Sequence, residues 1–81
     1  LKTTRLSGHD EHMENYPVRL PIKLGQLLKL ANFAESGAHA RKLIESGEVT
    51  VNGQVETRRS HKLADGDVVS AGGYAVRVVE G

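Results

Sequence analysis

The sequence predicts an α+β fold in which two short packed helices precede a small, mainly antiparallel sheet of about four strands. Three observations carry this. Leu24, Leu27, Leu28 and Ala31 fall at i, i+3, i+4 and i+7, the apolar stripe of an amphipathic helix. A second helix is bounded by Ser36, a good cap, and Gly47, a good stop. From Glu48 onward the pattern changes to short runs rich in Val, separated by Asn52-Gly53, Asp65-Gly66 and Gly72-Gly73.

Residues 1–16, "LKTTRLSGHDEHMENY", show no apolar period and are expected to form a flexible N-terminal tail ahead of a single domain over 17–81. His9 and His12 lie near Asp10, Glu11 and Glu14, but a tail offers neither fixed ligands nor groups to hold them, so no metal site is expected. Pro17 and Pro21 favour an extended lead-in. The first helix should end near residue 32 or 33, with Phe33 anchoring the junction to the next element.

In the second helix Ala40, Leu43 and Ile44 form the buried face, with Arg41, Lys42 and Glu45 roughly opposite. At about ten residues it would be marginal alone and must lean on its neighbours. Val49 and Val51 alternate with Glu48 and Thr50, and Asn-Gly suits a type I′ turn, which needs positive φ at both central residues. Gln54 to Thr57 is the expected return strand, followed by strands over Asp67 to Ala71 and Tyr74 to Val79.

Composition narrows the function. Eighty-one residues without cysteine allow no disulfide, no thiolate metal site and no Cys nucleophile. No apolar run approaches the roughly 20 residues of a membrane span, so a soluble, cytoplasmic protein is expected. The net charge of +1 hides an uneven distribution. Residues 37–62 hold five Lys/Arg against three Asp/Glu, whereas 63–81 hold one against three. His39 and His61 can add charge to the basic block as pH falls.

Over Lys23 to Val69 the chain resembles the S4-type RNA-binding domain family, the alpha-L motif. The match lies in "LGQLLKLAN", the Ser opening the second helix, "ARKLIESGEVTVNG", "VETRR" and "DGDVV", and is nearest in kind to the small stand-alone bacterial members. The resemblance implies an alpha-L fold that binds structured RNA, ribosomal or transfer, along the second helix and the neighbouring loop. It implies roles for Lys23, where the family often has Arg, for Ser36 before the second helix, and for Arg41 and Lys42 on its exposed side; His39 beside them is a further RNA-binding candidate through the charge it can gain. Arg58, Arg59 and Lys62 belong to the loop. Two positions depart from the family pattern: Gly25 stands where many members have Asp, and Gly37 where many have Arg.

Each of these residues also has an ordinary reading. Ser36 caps a helix in any case, and Arg41 and Lys42 near a helix C-terminus favour its dipole. Aromatic residues are scarce and absent from the basic block, which argues against a base-stacking platform. No glycine-rich phosphate loop or strained nucleophile turn accompanies the serines and histidines, so an enzyme is not expected, and no cofactor. The expectation is a monomeric, non-catalytic RNA-binding module, able to meet ribosomal particles. The competing class is a protein-interaction module docking on an acidic partner.

Overall fold

A computed structural model describes residues 13–81; the expected tail over 1–12 and the His9/His12 question lie outside the described residues. The chain runs β1 (Met13–Val18), β2 (Ile22–Lys23), α1 (Leu24–Leu30), α2 (Gly37–Glu45), β3 (Thr50–Val51), β4 (Gln54–Val55), β5 (Lys62–Leu63), β6 (Val68–Ala71) and β7 (Tyr74–Glu80). The α+β class stands, but there are more strands than the expected four. Five form one sheet in the order β1-β7-β6-β3-β4, and β2 pairs with β5 in a separate two-stranded ladder.

Both helix ends are built from local chemistry. Asn32 sits beyond α1 at φ 65°, donating its N–H to the Lys29 carbonyl, while the Phe33 N–H returns to the Leu28 carbonyl at 2.9 Å. This paired closure satisfies carbonyls that the helix leaves open. Gly47 (φ 85°) ends α2 the same way, with Gly47 N–H on Ile44 O and Glu48 N–H on Leu43 O. The Asn52-Gly53 turn has φ 54° and 85°, as a type I′ hairpin requires.

The tail expectation needs correcting at its end. Met13 to Tyr16 belong to β1, which pairs in parallel with β7 from Met13↔Ala75 to Val18↔Glu80. The pattern "MENYPV" shows little alternation: Tyr16 and Val18 turn toward the core, but the strand is ordered by pairing with a partner some sixty residues away. The Tyr16 hydroxyl donates to the Leu30 carbonyl at 2.6 Å and ties the strand to the end of α1. The return strand from β3 is also shorter than expected, stopping at Val55, with one further hairpin hydrogen bond from the Glu56 N–H to the Val49 carbonyl before the chain enters the loop.

Leu24, Leu27 and Leu28 of α1 meet Ala40 and Ile44 of α2 and the inward residues Val49, Leu63, Val69 and Val78 in one core, all buried. Phe33 packs partly buried against it, as the sequence suggested. Each fully buried Leu contributes about 2 kcal/mol by transfer from water. The packing fixes α1 against α2 and anchors β5 through Leu63, while backbone hydrogen bonds hold the segment between β4 and β5 to the start of α1; the site lies among these three.

Candidate functional site

The start of α1 is capped from outside the helix. Its first residues supply no acidic or hydroxyl cap, yet the Leu24 N–H donates to the His61 carbonyl at 2.8 Å and the Gly25 N–H to the Arg59 carbonyl at 3.0 Å. The loop between β4 and β5 therefore lies directly on the helix end. Gly25 suits this approach: a Cβ there would stand 3.4 Å from the Arg59 Cβ and 3.6 Å from its carbonyl oxygen, at the near edge of contact. On the other side of Lys23, its N–H is accepted by Gln26 Oε1 at 3.1 Å.

The start of α2 is self-contained. Ser36 Oγ accepts the His39 N–H at 3.1 Å, and His39 Nδ1 accepts the Glu35 N–H at 3.1 Å. Ser36 and His39 thus cap each other's turn, and both are exposed. Gly37 follows with open space where a side chain would be.

Between these two helix starts and the loop lies a groove of about 330 Å³. Its polar wall is Lys23, Gln26, Lys29, Arg59 and Ser60; its floor is Gly25, Gly37 and Ala40. No carboxylate lines it, and Lys23, Lys29 and Arg59 make no ion pair among the described residues. Gln26 already accepts from Lys23, so what it offers a ligand is its amide NH₂. A smaller notch of about 170 Å³ adjoins through Arg59 and adds Arg41, Ile44, Glu45 and Thr57.

The predicted residues separate accordingly. Lys23 and Arg59 share the groove, and Arg41 meets Arg59 in the notch. Arg41 is held by Glu45 at 2.9 Å, one helical turn on, which raises its pKa. Arg58 is held by Glu56, with Nε 3.0 Å from Oε2. Lys42 is exposed and lines neither hollow. Lys62 lies in a different hollow of about 460 Å³, with His61, Asn52, Glu56 and Asp67.

Lys29, Gln26 and Ser60 were not singled out from the sequence. A signal for two of them existed: Lys23, Gln26 and Lys29 recur every three residues, which puts them along one side of a helix. The missing signal was the loop, whose approach makes that side concave.

The comparisons with known proteins agree with this architecture. The S4 domain family model matches residues 19–79. The chain belongs to the S4 domain family. It is similar to YbcJ of Escherichia coli (strain K12), with 47% identity over 58 residues, covering 72% of this chain and 83% of that protein. A solution structure of E. coli YbcJ, described as having an alpha-L motif involved in RNA-binding, superposes with a TM-score of 0.60 at 38% identity over 94% of each chain. A protein of Bacillus subtilis (strain 168) named "Probable ribosome maturation protein RlbA" is 45% identical over 53 residues, 65% of this chain and 75% of that one. These likenesses bear out both the resemblance read from "ARKLIESGEVTVNG" and the alpha-L fold it implied.

Proposed function

We propose that this chain is a non-catalytic RNA-binding module that seats the phosphate backbone of structured RNA in the groove between α1, α2 and the Arg58–His61 loop. The observation that carries this reading is the groove's charge: Lys23, Lys29 and Arg59 converge on one concavity that no carboxylate lines among the described residues. Three cations in an uncharged frame have unspent electrostatic capacity, and the ligand that answers it is polyanionic. The relatives' names and descriptions, with RNA-binding in one and ribosome maturation in another, favour RNA over other polyanions and ribosomal RNA over transfer RNA.

The parts divide the work by chemistry. Arg59 can grip a phosphate with two parallel hydrogen bonds, while Lys23 and Lys29 act as mobile point charges. The Gln26 amide and Ser60 hydroxyl suit 2′-hydroxyls, the groups that distinguish RNA from DNA. Gly37 and Ala40 keep the floor low, so a backbone can come close to the helix. Ser36 and His39 hold the first turn of α2 in shape, Arg41 adds charge from the adjoining notch, and Lys42 and Lys62 contribute only to the general positive field.

The test is direct binding of the chain to a ribosomal-RNA helical junction and to a tRNA at 50 and 200 mM salt. With about four to six phosphate contacts, affinity should fall by roughly two to three orders of magnitude across that range. Arg59→Ala and Lys29→Ala should each weaken binding about tenfold, since a hydrogen bond to a charged group is worth about 1.5–3 kcal/mol. Absence of binding to either RNA at 50 mM salt would sink the reading.

A further inference from the structure

Glu56 lines the neighbouring hollow, three residues before the Arg59 we read as anion-binding, and its negative charge there is by simple electrostatics a liability. Its side chain is only 15% exposed, and its bonds explain why it is there. Oε2 accepts the backbone N–H of Arg58 at 3.0 Å and the Arg58 Nε at 3.0 Å, and Oε1 lies 3.4 Å from His61 Nδ1. Its own N–H donates to the Val49 carbonyl at 3.1 Å, which fixes it to the end of the hairpin. The Arg58 carbonyl in turn accepts the His61 N–H at 3.2 Å, closing the loop on itself. The next contacts outward are the two that cap α1, from the carbonyls of Arg59 and His61.

We propose that Glu56 is a positioning residue for RNA binding: by tying Arg58 and His61 to one carboxylate it holds the loop against α1 and keeps Arg59 over the groove. This rests on the RNA reading above, and it gives the adjacent arginines different roles. Arg58 spends its guanidinium inside the loop, while Arg59, with no ion pair among the described residues, is left to meet the ligand. The carboxylate is held down to about 2 by the same Arg58 contacts, so it stays ionised throughout the neutral range.

The experiment sets the two views against each other, because they predict opposite signs. If Glu56 acted only through its charge, Glu56→Ala and Glu56→Gln would both tighten RNA binding, since each removes one negative charge from a cationic surface. As a positioning residue, Glu56→Ala should weaken it about three- to tenfold, with Glu56→Gln between Ala and wild type because its amide oxygen can still accept the Arg58 N–H. Amide exchange on the RNA-free protein reads the loop directly. The Leu24 and Gly25 N–H groups should exchange at least tenfold faster in Glu56→Ala, while the Val78 N–H, bonded to the Asp67 carbonyl, keeps its rate. Tighter or unchanged RNA binding would overturn the proposal, as would weaker binding with Leu24 and Gly25 as protected as in wild type, or uniform acceleration of all three amides in both variants. Because exchange is measured without RNA, failure of the wild-type chain to bind RNA at all is distinguishable: it removes the RNA reading whatever the loop does.

Discussion

The groove and the hollow beside the β3–β4 hairpin are both concave, polar and basic at one edge, yet they differ in how their polar groups are used. The hollow is the larger, about 460 Å³ against 330 Å³, but its carboxylates and Asn52 are spent on protein partners, and Lys62 is its one cation without an ion pair among the described residues. Asn52 donates its amide to Asp67 Oδ1 and accepts the Val68 N–H, both at 3.0 Å. The other Asp67 oxygen accepts the Ala64 N–H at 2.9 Å, and Glu56 engages Arg58 and His61. In the groove the cations have no such partners among the described residues. Size does not separate a binding surface from a structural one here; the convergence of three unpaired cations with no carboxylate among the described lining residues does.

Charge reversal breaks this comparison most sharply. Lys29→Glu with Arg59→Glu should reduce RNA affinity by about a hundredfold or more, since two charge-assisted contacts become repulsive. Lys62→Glu, in the hollow, should cost no more than a few-fold through the general field. Equal losses in a filter-binding or anisotropy titration would erase the distinction. The hollow should answer to stability instead. Asn52→Ala strains a residue at φ 54° and removes two side-chain hydrogen bonds, so it should destabilise the fold by about 1–3 kcal/mol in denaturant unfolding, with RNA affinity unchanged.

A smaller effect belongs to the turn opening α2 at the groove's margin. Ser36→Ala removes the acceptor of the His39 N–H and should cost about 1 kcal/mol, read as a lowered denaturant midpoint at unchanged slope. The smallest is acid-dependent. Glu56 lies near 2 rather than the usual 4.5, so the stability it contributes is fully present above about 4.5 and is lost as pH falls toward 2. Glu56→Gln should flatten that part of the acid limb in a pH series of thermal melts and leave the neutral range without a further slope.

Legibility in the sequence followed the range of the interactions. The Ser36 cap, the Gly47 stop and the Asn52-Gly53 turn each depend on residues a few positions apart, and each is where the sequence put it. The Arg41–Glu45 pair, one turn apart on α2, depends on equally near neighbours, but it was not anticipated from the sequence. Strand β1 was illegible because its partner is the last strand and its inward side chains, Tyr16 and Val18, are too few to mark a period. The two-residue ladder of β2 and β5 was too short to leave one. Within the site, Lys23 and Arg59 were named in advance, but nothing local indicated that the loop would fold onto the helix bearing Lys23, Gln26 and Lys29.

The sequence by itself determined the two helices, their ends, the hairpin and the family, because helix caps, glycine turns and apolar periods are set by near neighbours. Only the tertiary structure decided which basic residues stay unpaired around a common concavity. That depends on the Arg59 and His61 carbonyls reaching the first N–H groups of α1, contacts made by a loop and a helix start that are more than thirty residues apart in the chain.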